Sequence, residues 1–587
     1  MRREEVLRNH WFFSQEVGKE EALAPDFHRE NWQAIQVPHD WSIYNDFDQY
    51  SPAQNEGGQL NGGQAWYRTQ FYLEEDASLV SVRLLFDGVY MNSQVYINGQ
   101  VLGYYPNGYA PFSYDITPYL RNDGTANQLA VFVENQQPSS RWYSGSGIYR
   151  EVKLLITDAV HLDLYGIKIV SPKLKEQRQS WVETQLESKV SNDGPQSVSV
   201  YLEQSIWYDG QQLSDWQATD SVMIESGEKH HFKQAISIFQ PLLWDIDHPH
   251  LYQLKTRLYK NGILVDEEEE SFGYRYMDWQ ADKGFFLNGC WLKIHGVCLH
   301  HDYGALGAVD NRSAAERRLR QMKEMGVNAI RITHNPASSI LLDLAAKMGL
   351  LIQEEAFDTW YGGKKEYDYG RFFEEEATHP EAKAGDFWSD YDLRTMIERG
   401  KNNPAIFMWS LGNEVSEANG DAHSLKTIKR FLERVKEVDD SRFVTIGMDQ
   451  FRFGDGSGGH EKIADLLDVV GLNYSEDNID AIRKRHPKWR LYGSETSSAT
   501  RTRDCYFRPD KEWVGDNRRV RNFEQSDYGN DRVPWGKTAT ASWIADRNRL
   551  DYAGQFIWTG VDYIGEPTPW HNQNDTPVKS SYFGLVD

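Results

Sequence analysis

The feature that most constrains this 587-residue chain is a change of apolar period near residue 274. Before that point apolar and polar residues alternate every second position, as in SVRLLFDGV (81–89), SQVYINGQVLG (93–103) and SVSVYLEQSIWYDG (197–210). That is the pattern of short strands with one buried face. Asn98-Gly99 and Asn261-Gly262 each join two such runs and predict tight hairpins. Beyond 274 short apolar runs alternate with amphipathic helical stretches. The runs are LKIHGV (292–297), NAIRIT (328–333), LLIQEE (350–355), AIFMWSLGN (405–413), RFVTIGMD (442–449), VVGLNY (469–474), RLYGSE (490–495) and AGQFIWTG (553–560). Eight strands with helical material between most of them predict a (β/α)₈ barrel. Met325-Gly326 and Met348-Gly349 are the expected helix stops before a strand. The segments 1–157 and 158–273 therefore read as β domains and 274–587 as an α/β barrel. The chain stops at SYFGLVD, so the helix that closes the barrel is expected beyond Asp587.

The net charge of −24 argues against nucleic acid and against an anionic membrane surface, both of which need basic patches. Aromatic residues make up 13% of the chain, as suits sugar-handling sites and large β domains alike. Three cysteines, Cys290, Cys298 and Cys505, form neither a disulfide framework nor a zinc motif, and the first two read as buried thiols. The acidic run 266–270 reads as a solvated strand face. The N-terminal MRREEVLRNHWFF lacks the apolar core of a signal peptide, and no apolar stretch is long enough to span a bilayer.

In a (β/α)₈ barrel functional side chains gather at the C-terminal ends of the strands. Here those positions hold His300, Arg331, His334, Glu354, Glu355, Asn413, Glu414, Asp449, Tyr474, Glu495 and Trp558. Glu414 and Glu495 each follow an apolar strand, the fourth and the seventh, and so face each other across the barrel mouth. Two carboxyls in that relation suit glycoside hydrolysis, one protonating the leaving oxygen and the other attacking the anomeric carbon. The plainer alternative is that each glutamate merely pairs with a cation such as Arg331.

SLGNEV (410–415), GSE (493–495), IRITHNP (330–336), SGSGIYR (144–150) and GQFIWTG (554–560) resemble glycoside hydrolase family two, the bacterial β-galactosidases. VPHDW (37–41), PAQNEGGQLNGG (52–63) and YGSETSSATRTR (492–503) are most similar to the large surface β-galactosidases of streptococci. The resemblance covers essentially the whole chain. It implies a sugar-binding-like jelly roll (1–157), an immunoglobulin-like β-sandwich (158–273) and a catalytic TIM barrel, and a secreted or surface location set against the missing leader.

The same resemblance implies roles. Glu414 matches the acid/base and Glu495 the nucleophile of a retaining double displacement, with Tyr474 and Arg331 beside the nucleophile. Arg331 should hold Glu495 below the usual carboxylate range. Asn413, His300, His334, Asp449, Trp558 and Trp570 are then substrate-binding residues. Arg141 replaces an aspartate that family members project into the site. No cofactor is implied: the stretch EEAFDTWYGG (354–363) lacks the Glu and His that bind magnesium in the enterobacterial enzyme. The expected partner is a β-galactoside oligosaccharide, and the reading is compatible with a homo-oligomer. The rivals are a β-glucuronidase or β-mannosidase of the same family, and a non-catalytic carbohydrate-binding adhesin. The absence of an Asn-x-Lys around Lys579 disfavours a glucuronidase, and the presence of both glutamates disfavours the adhesin.

Overall fold

The computed structural model describes residues 2–25, 29–77, 79–514, 523–570 and 576–586. The N-terminal β domain is a jelly-roll-type sandwich. Its four-stranded sheet runs in the order Arg3–Val6, Val152–Asp158, Val80–Phe86, Phe112–Asp115, and it faces a six-stranded sheet built on Gly63–Phe71 and Asn127–Asn135. Inward positions of both sheets, Leu84, Val95, Val131 and Ile156 among them, form one core. The Asn98-Gly99 turn joins Ser93–Ile97 to Gln100–Tyr105 with φ of 50° and 81°, the left-handed pair that Asn-Gly tolerates. An immunoglobulin-like sandwich follows, three strands from Val160–Val170 to Lys229–Phe239 against a six-stranded sheet containing Val198–Tyr208 and Tyr252–Lys260.

The acidic run is not simply solvated. Asp266 is buried, bonds Arg2 and accepts the Leu162 N–H at 2.9 Å, while Glu270 takes Asn402. Alternation along the strand turns these members inward and leaves Glu269 exposed. Cys298 is buried as expected, but Cys290 is exposed, because it sits in a short hairpin strand rather than in the barrel wall.

The third unit is a closed parallel barrel of eight strands: Ile294–Leu299 (β1), Ala329–Ile332 (β2), Leu351–Glu355 (β3), Ile406–Asn413 (β4), Phe443–Met448 (β5), Val470–Asn473 (β6), Leu491–Ser497 (β7) and Tyr552–Trp558 (β8). β3, β4 and β7 are buried at every position, as strands covered on both faces must be. Ser339–Met348 (α1), between β2 and β3, ends at Gly349, whose φ of 71° lets its N–H turn back onto the Ala345 carbonyl. At the opposite end a small antiparallel hairpin packs Trp279 on Phe443 and Phe285 on Phe407, which fills the bottom of the barrel. Among the described residues no helix is long and apolar enough to cross a membrane.

The first domain reaches the barrel mouth through residues 137–150. Asp40 ties the two together: buried, it accepts the N–H groups of Ser42, Ser146 and Ala308 and the Tyr143 hydroxyl at 2.6 Å. Arg150 donates to the carbonyls of Pro336 and Ala337 just beyond β2. These bonds carry Arg141 and Trp142 over the strand ends.

Candidate active site

The site forms where β2, β3, β4, β6 and β7 end. Arg331, on β2, is fully buried and serves four acceptors. It pairs with Glu355 through two nitrogens and with Glu495 Oε1 at 2.8 Å, and it also donates to Asn413 Oδ1 at 3.0 Å and to the Ser494 carbonyl. A guanidinium so placed remains charged, since two buried carboxylates surround it. Strand alternation separates the consecutive glutamates of β3: Glu355 points inward to Arg331, while Glu354 pairs with Arg399 of the surrounding helical layer.

Glu495 also takes a hydrogen bond from the Tyr474 phenol, whose oxygen accepts from Ser498 Oγ at 3.1 Å. The sequence reading expected Arg331 to keep this carboxyl acidic, and that expectation fails. Burial pushes Glu495 up to about 8, with the charges of Glu414 and Glu355 adding to the rise, and Arg331 and Tyr474 only partly offset it. Arg331 cannot neutralise it fully because Glu355 already claims two of its nitrogens, Nε and Nη2.

Glu414 is held differently. Its N–H donates to the Gly447 carbonyl at 2.8 Å, and its φ is 45°, a left-handed conformation unusual for a side chain with a Cβ. The carboxylate accepts from Asn473 Nδ2 at 3.1 Å, and the same amide also donates to Asn413 Oδ1. Asn473 is also the register partner of Glu495, so one β6 residue pairs along the backbone with one glutamate and bonds the other through its side chain. Asp449, after β5, pairs with Arg452 and is raised by burial and by the Glu414 charge.

A ring wall completes the pocket. Trp558 lies parallel to His334 at 5.4 Å between centroids. His300 packs among Trp142 (4.7 Å), Trp558 (5.3 Å) and Tyr563 (4.2 Å). His334 Nδ1 faces Glu355 at 2.7 Å and so carries the ring proton, and burial together with Arg331 keeps the imidazole neutral. Its Nε2 lies 3.5 Å from Glu495 Oε1. Among the described residues neither ring nitrogen of buried His300 has a hydrogen-bond partner. An orphaned buried imidazole in a pocket is suited to a ligand hydroxyl.

Arg141 does not stand free in the cavity. It forms a two-point pair with Asp358, Nη2 to Oδ1 at 2.7 Å and Nε to Oδ2 at 3.3 Å, and Asp358 also binds Lys364 Nζ at 3.0 Å. Trp570 is buried, and among the described residues its ring neighbours are Phe523 and Tyr582. The strand-end rule did not name Asn473, Asp358, Lys364, Trp142, Tyr563 or Glu566. Asn473 was recoverable as the last apolar-strand residue before Tyr474. The others sit on loops, where no periodicity points to them. Glu566 bonds the Tyr563 hydroxyl and is pushed up to about 7 by burial.

The donor set does not fit the magnesium site of the enterobacterial enzyme. Every acidic side chain of 354–363 is already committed: Glu354 to Arg399, Glu355 to Arg331 and His334, Asp358 to Arg141 and Lys364. An ammonium next to the β4 end repels a metal ion. Among the described residues no group of three or more His, Cys, Asp or Glu side chains is arranged to hold a metal.

Comparison with known proteins gives this geometry a family. The glycosyl hydrolases family 2 TIM barrel domain matches residues 280–577, the family's sugar binding domain 7–158, and its intervening domain 167–275. The chain belongs to glycosyl hydrolase family 2. It is 38% identical over 605 aligned positions to the β-galactosidase BoGH2A of Bacteroides ovatus, covering 97% of this chain and 68% of that protein. A putative β-glucuronidase of Formosa agariphila is 31% identical, over 95% of this chain and 52% of its own length. Among solved structures, a family 2 member from Bacteroides cellulosilyticus superposes with a TM-score of 0.82 at 31% identity, over 96% of this chain and 66% of that one. The chain thus spans 52–68% of these three proteins. The family assignment makes it a glycoside hydrolase with the three-domain order described above.

Proposed function

We propose that this protein is a retaining exo-β-galactosidase that removes terminal non-reducing β-D-galactose by double displacement. The observation that carries this reading is the asymmetry between the surroundings of the two carboxyls. Glu495 is enclosed, and the cation and phenol on its oxygens offset part of the rise that burial imposes, which favours the ionised form that attacks. Glu414 is more open and bonded by one neutral amide, which suits a group that exchanges protons with a leaving oxygen and then with water. Glu495 attacks the anomeric carbon while Glu414 protonates the departing oxygen. Once the galactosyl ester forms, Glu414 takes a proton from water and the ester is hydrolysed. Asn413, His300 and His334 receive the sugar hydroxyls, with Trp558 under the sugar's apolar face.

The motif likeness to the streptococcal surface β-galactosidases and the 38% relative favour galactose. A β-glucuronidase is the second reading, favoured by the name of the Formosa relative. It needs a free cation for the C6 carboxylate. Lys579, on the segment after β8, instead donates to Gln59 Oε1 and to the Thr576 carbonyl; residues 571–575 of the same segment lie outside the described residues. Nitrophenyl β-galactoside, β-glucuronide and β-mannoside offered to the purified protein decide between the readings. The galactoside is expected to turn over at least about 100-fold faster in kcat/KM, a difference of roughly 2.7 kcal/mol. Faster turnover of the glucuronide overturns the reading.

A further inference from the structure

The loop after β3 holds a cation that the reaction scheme does not use. Lys364 follows Gly363, whose φ is 65°, and its turn is caged by Asp368, which accepts the N–H groups of Lys364, Lys365 and Gly370. The turn delivers a mostly buried side chain to the end of β4. There Nζ donates to the Asn413 carbonyl at 2.7 Å and to Asp358 Oδ1 at 3.0 Å. The Asn413 carbonyl belongs to the peptide that joins Asn413 to Glu414. Despite burial, Arg141 and Lys364 hold Asp358 well below the usual carboxylate range, so the anchor stays ionised. Its Oδ1 also receives the Asn413 amide at 3.3 Å, and its partner Arg141 comes from the first domain.

We infer that Lys364 is a positioning residue for Glu414: its ammonium, fixed by Asp358, pins the peptide before Glu414 and so aims that carboxyl at the leaving-group oxygen. This rests on the reading of Glu414 as acid/base. A left-handed backbone at a residue with a Cβ persists only where its surroundings over-determine it. At Glu414 the restraints are three: the Gly447 carbonyl on its N–H, Asn473 on its carboxylate, and Lys364 on the preceding carbonyl. The Lys364 bond is the charge-assisted one on the backbone, and such bonds are the stronger kind. Without it the peptide can rotate and the carboxyl swings off line. Proton transfer tolerates little displacement, since an error of about 1 Å can cost about 10²-fold.

The test compares wild type, Lys364→Met, Lys364→Arg and Glu414→Ala on aryl β-galactosides of graded leaving-group pKa. Lys364→Met is expected to lose about 10²-fold in kcat/KM on poor leaving groups, at the lower end of general-acid contributions, and no more than about threefold in kcat/KM on dinitrophenyl galactoside. Lys364→Arg, which keeps a cationic donor, recovers most of that loss. If Lys364→Met fails to fold by circular dichroism, the same comparison is read on Lys364→Gln. A loss equal across leaving groups, or a rise in KM with kcat unchanged, overturns the inference while leaving the site assignment intact. A Glu414→Ala variant whose loss ignores the leaving group overturns the site assignment itself.

Discussion

The two sides of the pocket are built on different plans. Glu495 stands in a barrel-only enclosure: Arg331 from β2, Glu355 from β3 and Tyr474 after β6, all buried, with bonds running strand to strand. Glu414 lies at the seam between domains, its support drawn from a loop lysine, from Asp358, and through Arg141 from the first domain. The enclosed side gains precision from rigid elements and carries an electrostatic cost, visible in the raised Glu495. The seam side gains access to water and aglycone, and it depends on loops that a barrel alone would not fix.

The largest expected effect separates the sides by chemistry. Glu495→Gln should lose about 10⁴-fold or more on every galactoside, whatever its leaving group, because it removes the attacking oxygen. In kcat/KM, which reports the first step, Glu414→Ala should lose heavily only where the leaving oxygen needs a proton; its kcat on activated substrates falls because ester hydrolysis has lost its base, and azide should restore part of it by replacing water as the acceptor. Initial rates across a leaving-group series check this, and parallel losses for the two variants would erase the distinction.

What the sequence disclosed follows the same division. All eight barrel strands and the residues at their ends were legible, since a buried strand between helices is an apolar run and the next residue lies at the mouth. Arg331, Asn413, Glu414, Tyr474 and Glu495 came from that rule. The seam was not legible. Lys364 and Asp358 matter through contacts with the Asn413 carbonyl and with Arg141, more than 200 residues away in sequence from Asp358, and no local pattern encodes such a pairing. The acidity of Glu495 was misjudged for a related reason: Arg331 was assigned to it alone, whereas the buried Glu355 shares that cation. Trp570 comes from the resemblance, and among the described residues its ring packs against Phe523 and Tyr582.

A smaller effect probes the cost carried by the enclosed side. A carboxyl raised on folding holds its proton to higher pH in the native state than in the unfolded chain. Its contribution to stability is therefore present in acid and is lost as pH rises from the usual carboxylate range toward about 8. Glu495→Gln cannot ionise and escapes that loss. The apparent Tm of Glu495→Gln relative to wild type should accordingly grow between pH 5 and pH 8, reaching a few degrees. Differential scanning fluorimetry across that range measures it. A difference that stays flat or narrows would mean that Arg331 does neutralise Glu495 after all.

The central claim is that Glu495 becomes covalently bonded to the sugar while Glu414 handles the protons. Incubation with an activated 2-deoxy-2-fluoro-β-galactoside, followed by proteolysis and peptide mass spectrometry, tests it directly, because the fluorine slows breakdown of the glycosyl ester enough for it to accumulate. The account predicts one fluorogalactosyl group on the peptide containing residues 491–497, attached to Glu495. A label on Glu414, or an intact unlabelled enzyme that releases α-galactose as first product, would contradict it.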